Sequence, residues 1–325
     1  MDEKNTPYYD VVIVGGGAAG LTAAIYTSRR ALKTLIISKD IGGQAALTNE
    51  IENYPGVGLI DGFDLMNRFL EDAKKFGAEF KSGEVKAIEK KGEGDFLVKT
   101  TVGDFKAAAV ILAFGLTPRD LGVPGEEEFK GKGVSSCATC DGPLYKGKVV
   151  AVVGGGNSAL DAAEYLSRIA KKVYLIHRRD QFRGDEILVE RVKSKDNIEL
   201  VLNSKVKEIK GEERVKSIVV IDANDESKER EIEVDGVFVE IGHMAKTKWL
   251  GDLVEYDERG QIKTNKNCET KTPGIFAAGD VTDTEYKQII ISGGEGAKAA
   301  LQAYKYLQQT KGIKGAGIDW GVVKK

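Results

Sequence analysis

Two glycine-rich turns, each lying between a buried strand and a helix, constrain the fold of this chain more than any other feature. Residues 15–20 follow the apolar run 11–14, and residues 154–159 follow Val149–Val153. Short runs of this kind, without polar residues, are typical of parallel strands that are buried on both faces. A G-x-G-x-x-G/A sequence directly after such a strand is the fingerprint of a dinucleotide-binding βαβ unit. The chain therefore predicts two nucleotide-binding domains.

The rest of the strand pattern has the same order in both halves of the chain. After each βαβ unit come segments in which apolar and polar residues alternate and which glycines interrupt, and this pattern predicts antiparallel strands. The buried segments 110–113 and 237–241 follow them, and both lead to a glycine. Residues 263–325 are too short for a further domain. We therefore expect an α/β protein of two Rossmann-like, doubly wound, three-layer domains, the second inserted into the first. The expected bounds are 1–117 with 246–325 for the first domain and 118–245 for the second.

Composition excludes several classes of protein. The chain of 325 residues is 42% hydrophobic and has a net charge of −2, which excludes an intrinsically disordered chain and argues against a nucleic-acid partner. No apolar run reaches the roughly 18–20 residues of a membrane span. The acidic N-terminal segment lacks the pattern of a signal peptide. We therefore expect a cytoplasmic protein without a membrane or nucleic-acid partner.

The second glycine turn carries a basic cluster that indicates the type of coenzyme. Gly154, Gly156, Asn157 and Ser158 would face a pyrophosphate at the helix N-terminus. The strand after this helix ends at His177, and Arg178, Arg179 and Arg183 follow it. A carboxylate at this position would bind a ribose 2′-hydroxyl, whereas guanidinium groups suit a 2′-phosphate. The pattern favours NADP(H); the alternative is a solvated basic strand end, with His177 as a packing residue.

A C-x-x-C motif is the candidate redox centre. Cys137 and Cys140 can close a small disulfide ring, and Asp141 beside them could carry the proton that the leaving thiolate needs. The alternatives are half of a zinc site or two buried cysteines. A zinc site needs four ligands, and the chain offers only Cys268 and two histidines besides this pair, so we expect no metal. Cys268 is expected to take no part in the chemistry.

The first glycine turn, formed by Gly15, Gly17 and Gly20, differs from the second at the end of its βαβ unit. Its second strand ends at Ser38 without the acid expected for NAD. A hydride donor and a dithiol each handle two electrons, and a flavin can take electrons from the first and pass them to the second. The first turn is therefore expected to hold FAD, the alternative being a glycine turn without a ligand.

With these motifs, the chain closely resembles the low-molecular-weight thioredoxin reductases of bacteria and archaea over nearly its whole length. The most specific mark is the Cys-Ala-Thr-Cys-Asp-Gly sequence beginning at Cys137, which lies in the nicotinamide domain and not in the FAD domain. The resemblance implies a homodimer that passes electrons from NADPH through FAD and the disulfide to a thioredoxin- or glutaredoxin-like protein. It also implies these further FAD contacts: Ala18, Ser38, Gly43, Gln44, Asn53, Val85, Gly115, Gly279, Asp280, Gln288 and Ile289.

The chain departs from this family at several positions, and other functions remain open. Pro143 and Leu144 stand where some members carry an aromatic pair that docks thioredoxin, so the protein partner is not determined. One alternative is a ferredoxin-fed flavin thioredoxin reductase, which should lack the basic cluster. A second is the reductase of an alkyl hydroperoxide system, which normally has an extra N-terminal segment. A third is a nucleotide-binding redox sensor without enzymatic activity.

Overall fold

The computed structural model describes residues 6–48 and 51–313. The chain forms two compact units, and it passes from the first to the second after Leu116 and returns after Met244. The strands are β1 (Tyr8–Val14), β2 (Thr34–Ser38), β3 (Glu79–Ser82), β4 (Val85–Gly92), β5 (Asp95–Thr100), β6 (Gly103–Leu112), β7 (Thr117–Pro118), β8 (Val134–Ser135), β9 (Val149–Val153), β10 (Lys172–Ile176), β11 (Ile198–Val201), β12 (Ser204–Gly211), β13 (Val215–Asp222), β14 (Glu229–Glu233), β15 (Gly236–Val239), β16 (His243–Met244) and β17 (Ile275–Ala277). The α-helices are α1 (Ala18–Arg29), α2 (Gly62–Lys75), α3 (Ala138–Asp141), α4 (Asn157–Ser167), α5 (Glu186–Lys193) and α6 (Ile289–Thr310).

The first unit is built on a parallel sheet with the order β3-β2-β1-β6, to which β17 adds in parallel beside β6. Alternate residues of β1 contribute to two hydrophobic cores, one on each face of the sheet. Val11 and Ile13 pack with α1, α2 and α6 on one face, and Val12 and Val14 pack with the antiparallel strands on the other. Both faces of β1 are therefore covered, and this explains why a strand without polar residues is stable at the centre of the sheet.

Strand β6 is one continuous strand, whereas the sequence pattern predicts a break near Ala109. Along one edge it pairs with β1 over most of its length. Along its other edge its first half pairs with β5, antiparallel, and its second half pairs with β17, parallel. The pattern changes from alternating to fully apolar because the layer that covers the strand changes halfway along it, although the strand itself does not end.

The second unit repeats this plan. Its parallel sheet has the order β11-β10-β9-β15-β8, and β12, β13 and β14 form a separate antiparallel sheet. One face of the parallel sheet packs against α4 and the other against the antiparallel strands. Each unit therefore has the three-layer, Rossmann-like architecture that the sequence predicts, with helices on one face and an antiparallel layer on the other.

The two chain segments that enter and leave the second unit lie side by side. Strands β7 and β16 pair antiparallel, His243 opposite Pro118 and Met244 opposite Thr117. The Arg119 amide donates a hydrogen bond of 2.9 Å to the Gly242 carbonyl oxygen. The same arginine donates from Nε to the His243 carbonyl oxygen at 3.1 Å. The segments that enter and leave the second unit are thus hydrogen-bonded to each other.

Close packing of α1 against α6 depends on a glycine. A Cβ atom added to Gly296 would lie 2.0 Å from the Ala19 carbonyl oxygen, whereas one added to Gly294 would meet nothing within 4 Å. We expect Gly296→Ala to push the helices apart, to cost about 1–3 kcal/mol or more, and to lower the melting temperature by several degrees. Gly294→Ala is the control, because it adds helix propensity without a clash. Equal melting temperatures for the two variants in a thermal scan would contradict this packing argument.

Among the described residues, no helix combines the length and apolar character needed to cross a membrane.

Candidate active site

The cysteine pair lies in a short helical turn of the second unit. Cys137 and Cys140 form a disulfide bond with their Cα atoms 5.4 Å apart. Cys137 caps α3, and its Sγ accepts a hydrogen bond of 3.2 Å from the Cys140 amide. The Thr139 hydroxyl lies 3.4 Å from the same sulfur. Because both groups can donate to a thiolate, they would stabilise negative charge on Cys137 after reduction of the disulfide.

The dithiol turn is fixed to the helical layer beneath it. A Cβ atom added to Gly142 would lie 2.9 Å from a ring carbon of Tyr165 on α4, so only glycine allows this approach. Ala138 is buried in the core between α4 and the sheet, whereas Cys140 is exposed and Asp141 half-buried. The sulfur atoms therefore stand on a rigid base, with Cys140 facing outward and Asp141 directly beside it.

The second glycine turn has the geometry that a pyrophosphate requires. A Cβ atom added to Gly154 would lie 2.2 Å from the Glu240 carbonyl oxygen, so the turn needs glycine there. Gly156 caps α4, and no side chain caps its amides and no acid lies in its first turn. Nothing lies within 4 Å of a Cβ built on Gly156. Asn157 is held by Asp185, which accepts at 3.1 Å and donates its amide at 2.8 Å. The exposed helix N-terminus can thus bind an anion.

The basic residues that follow β10 differ in their exposure to solvent. Arg178, Arg179 and Arg183 are exposed, and among the described residues none of the three has a carboxylate within ion-pairing distance. His177, by contrast, is only 5% exposed and stacks on Phe182 with ring centroids 5.4 Å apart. Burial lowers the pKa of His177, and the neighbouring arginines lower it further. The three guanidinium groups are therefore available to a ligand.

The His177 ring packs directly against the second glycine turn. A Cβ atom added to Gly155 would lie 2.1 Å from the His177 ring, and the ring nitrogen Nε2 lies 3.1 Å from the Gln181 carbonyl oxygen. The Arg183 amide donates to the Gly155 carbonyl oxygen at 2.7 Å. The sequence also placed His177 among the coenzyme contacts, but its burial favours a packing role, the alternative that the sequence left open.

The first glycine turn is equally tight. A Cβ atom added to Gly15 would lie 2.4 Å from the Ala113 carbonyl oxygen, and one added to Gly20 would lie 1.9 Å from the Gly15 carbonyl oxygen. Gly17 caps α1, again without a side-chain cap and without an acid in the first turn. Gly15 and Gly20 thus fit the roles that the motif gives to its first and third glycines, which are the tight turn and the close packing of helix and strand.

Three other segments meet near this turn. The Gly42 amide donates to the Gly16 carbonyl oxygen at 2.7 Å, which brings Gly43 and Gln44 beside it. A Cβ added to Gly279 would lie 2.8 Å from Ala19 at the start of α1. The Asp280 carboxylate, one residue on, accepts a hydrogen bond of 3.0 Å from Ser292. These contacts place a backbone loop and a carboxylate at the N-terminus of α1.

Hydrogen bonds also hold other segments that carry predicted flavin residues. Asn53 donates to the Gln288 side chain at 3.2 Å, and a cleft there is lined by Thr48, Ile51, Glu52, Asn53, Lys287, Gln288 and Ile289. At the end of β2, the Ser38 carbonyl oxygen accepts a hydrogen bond of 2.9 Å from the Gly83 amide. Gly83 lies two residues before Val85, so this bond brings the segment of Val85 close to Ser38. Gly115, with φ of 64°, follows β6. The first unit thus brings together segments that are far apart in the sequence.

Sequence reasoning missed the acid that fixes the loop containing Asp280. Glu295 lies on α6, and its carboxylate accepts the Gly279 amide at 2.8 Å and a hydrogen bond from the Thr284 hydroxyl. Lys287 donates to the Thr282 carbonyl oxygen at 2.8 Å in the same loop. The signal was present, because Glu295 is the one acid in a glycine-rich stretch at the start of a long helix.

The third cysteine is set apart from this chemistry. Cys268 is 3% exposed, and burial, with the nearby Glu295 carboxylate, raises the pKa of its thiol to about 12. After reduction of the native protein at about pH 8, we expect iodoacetamide to modify Cys137 and Cys140 well before Cys268, because only a thiolate is nucleophilic. Peptide mass spectrometry measures the order of labelling. Modification of Cys268 at a comparable rate would overturn this assignment.

Comparisons with known proteins agree with this arrangement. A family model described as pyridine nucleotide-disulphide oxidoreductase matches residues 9–296, so the chain belongs to that family. Within the family it is similar to thioredoxin reductases: the enzyme of Bacillus subtilis is 44% identical over 303 residues, covering 93% of this chain and 95% of that protein. The Lactococcus lactis thioredoxin reductase structure, in its FR conformation, is 39% identical, with a TM-score of 0.81 and coverage of 93% and 99%. The T. acidophilum thioredoxin reductase structure is 38% identical, with a TM-score of 0.78 and the same coverage.

The cofactors of this family are FAD and NADPH, and the residues present fit both. Two glycine turns with uncapped helix N-termini can each bind a pyrophosphate. The first unit also has the Asp280 carboxylate and the Asn53–Gln288 pair, which suit the sugar and ring of a flavin nucleotide. The turn before α4 has the three arginines of the basic cluster. When bound, the flavin supplies two-electron chemistry that links a hydride donor to a disulfide.

Proposed function

We propose that this chain is a thioredoxin-disulfide reductase that takes electrons from NADPH, through FAD and the Cys137–Cys140 disulfide, to a thioredoxin- or glutaredoxin-like protein. The observation that carries the proposal is the disulfide itself, which lies in the same unit as a glycine turn with three exposed arginines. Residues 1–117 with 246–325 are proposed as the FAD domain and 118–245 as the NADPH domain.

Each part of the dithiol turn has a proposed task. Cys140 is exposed and Cys137 is half-buried, and the Cys140 amide and the Thr139 hydroxyl point at the Cys137 sulfur. The carboxyl group of Asp141 would carry a proton to the thiolate that leaves when the disulfide opens. The exposed Pro143 and Leu144, which come after the turn, would contact the acceptor protein.

The NADPH site is proposed to hold the 2′-phosphate with Arg178, Arg179 and Arg183. Guanidinium groups bind phosphate through charge-assisted hydrogen bonds, often two at a time. Gly154, Gly156, Asn157 and Ser158 would hold the pyrophosphate, and His177 would keep the turn in place. The FAD site would be formed by Gly15, Gly17, Ala18, Gly20, Ser38, Gly43, Gln44, Asn53, Val85, Gly115, Gly279, Asp280, Gln288 and Ile289.

A panel of electron acceptors tests the proposal. The FAD-loaded protein is mixed with NADPH and, in turn, with thioredoxins, glutaredoxins, a peroxidase partner of the alkyl hydroperoxide type, and no protein acceptor. We expect fast NADPH oxidation with a thioredoxin-like protein. Reduced ferredoxin in place of NADPH tests the ferredoxin-fed alternative. Turnover with ferredoxin but not with NADPH, or no turnover with any acceptor, would reject the proposed function.

Two further properties belong to the same proposal. The enzyme would act as a homodimer, which sedimentation of the FAD-loaded protein tests directly; a monomer with full activity would exclude a required dimer. It would work in the cytoplasm, where thioredoxin systems keep protein thiols reduced.

A further inference from the structure

Glu295 of α6 holds both ends of the loop that follows β17, which we call the Asp280 loop (residues 279–284). The Glu295 carboxylate accepts a hydrogen bond of 2.8 Å from the Gly279 amide, at the first residue of the loop. It also accepts a hydrogen bond from the Thr284 hydroxyl, at the last residue. The side chain is half-buried, and hydrogen bonds to a carboxylate are among the strongest in proteins. One side chain of α6 therefore fixes the whole loop.

The same face of α6 also holds the side chain of Asp280 itself. Ser292 lies three positions before Glu295 on the helix, and its hydroxyl donates to the Asp280 carboxylate at 3.0 Å. The Gln261 side chain donates from Nε2 to the Asp280 carbonyl oxygen at 3.1 Å. The carboxylate of Asp280, its carbonyl group and the amide of the residue before it thus each have a defined partner.

This turn of α6 packs against the start of α1 as well. A Cβ atom added to Gly296, next to Glu295, would lie 2.0 Å from the Ala19 carbonyl oxygen. A Cβ atom added to Gly279 would lie 2.8 Å from the Ala19 Cβ and 3.3 Å from the Ser292 hydroxyl oxygen. Gly279 also has a φ of 79°, in the region that favours glycine. The position of the Asp280 loop relative to the N-terminus of α1 is therefore closely defined.

We propose that Glu295 is a positioning residue of the FAD site: it holds the Asp280 carboxylate at the distance from the start of α1 that the sugar and the pyrophosphate of one FAD molecule require. The proposal rests on the proposed function only in treating Asp280 and the first glycine turn as flavin contacts. Glu295 acts on the nucleotide through the loop.

The physical basis of the proposal is preorganisation. A nucleotide that is bound at two points gains the full benefit of both contacts only when the protein already holds them at the right spacing. Without the Glu295 carboxylate, the Gly279 amide lacks its acceptor, and residues 279–284 gain conformational freedom that FAD binding must then remove. Binding is weaker as a result, and changes of this kind within one site act mainly on the rate of dissociation.

The first test measures how fast FAD leaves the full-length, FAD-loaded protein after dilution, from the rise in fluorescence of free FAD. Glu295→Ala removes the acceptor and keeps a good helix former in α6, and we expect release to become roughly tenfold faster or more. Glu295→Gln keeps an oxygen for the Gly279 amide, so its release rate should stay close to that of the wild type. Glu285→Ala, at an exposed acid directly after the loop, should match the wild type. A wild-type rate in Glu295→Ala, or an equally fast release from Glu295→Gln, would overturn the proposal.

A second test separates positioning from a general loss of stability. FAD release is compared in Asp280→Ala and in Asp280→Ala/Glu295→Ala. If Glu295 acts through Asp280, its removal should add little once that carboxylate is gone. Should Glu295→Ala fail to fold, Thr284→Val takes its place in the same cycle, because it removes only one of the two hydrogen bonds; it should speed release only while Asp280 is present.

An additive effect of the two substitutions would overturn the proposal, and so would a wild-type release rate in Asp280→Ala alone. Neither measurement uses NADPH or thioredoxin, so failure of the proposed function and failure of this inference give different results.

Discussion

Replacing either Cys137 or Cys140 with serine is expected to abolish NADPH-dependent reduction of thioredoxin, while NADPH still reduces the bound flavin. A disulfide needs both sulfur atoms, and a hydroxyl group cannot take the place of either one in thiol–disulfide exchange. Flavin reduction depends on the coenzyme and flavin sites, which these substitutions leave in place. Stopped-flow bleaching of the flavin band measures the first half-reaction, and a thioredoxin-coupled dye assay measures the complete turnover.

Cys268→Ser is the matched control for this experiment. Cys268 lies in the first unit, in the core that contains α1 and α6, and not at the dithiol turn. Its replacement should leave both half-reactions intact, with at most a modest loss of stability from the buried hydroxyl group. Normal thioredoxin turnover by either single variant of the Cys137–Cys140 pair would show that electrons leave the flavin by a different route.

Removing the guanidinium groups of Arg178 and Arg179 is expected to raise the Michaelis constant for NADPH by roughly ten- to a hundredfold. A charge-assisted hydrogen bond contributes about 1.5–3 kcal/mol, and 1.4 kcal/mol is a factor of ten in binding. NADH has no 2′-phosphate, so its Michaelis constant should change little in the same Arg178→Ala/Arg179→Ala variant. Steady-state kinetics with both coenzymes, at constant ionic strength, give the comparison.

The control for charge alone is Arg168→Ala. Arg168 is exposed near the end of α4, where it pairs with Glu164 at 2.9 Å, so it lies at the end of the helix away from the glycine turn. Its removal should affect the two coenzymes alike and only slightly. A direct measurement uses 2′-phospho-AMP and AMP as competing ligands: the double variant should lose affinity for the first and not for the second. An equal loss for both coenzymes would mean that the cluster has only a structural role.

Several elements were predictable because a short sequence determines them. Residues 11–14 and 34–37 lie in β1 and β2, and residues 149–153 and 173–176 lie in β9 and β10, so these strand predictions are confirmed. An apolar β-branched run followed by a glycine turn has few alternatives, because its backbone groups and both its faces must be covered. The three-layer order of each unit results from these strands and from the alternating segments after them.

Other elements were missed because their signal is weak in the sequence. Helix α2 was not predicted, although Asp61 caps it by accepting the amides of Phe63 and Asp64. Strand β8 has only two residues and is defined by its pairing with β15. The segment 199–202 is strand-like in sequence and overlaps β11, but the parallel pairing of β11 with β10 is specified by no local pattern.

The sequence by itself determined the kinds of group that carry the chemistry: two glycine turns, a cysteine pair and a basic cluster, each encoded within a few consecutive residues. Only the tertiary structure decided which groups surround them. Glu295 reaches the Gly279 amide from a helix, and the Glu240 carbonyl oxygen lies against Gly154 from the end of a strand far along the chain. The physical reason is that a motif fixes local backbone geometry, whereas burial, hydrogen-bond partners and the resulting charge depend on elements that meet only when the sheets and helices pack.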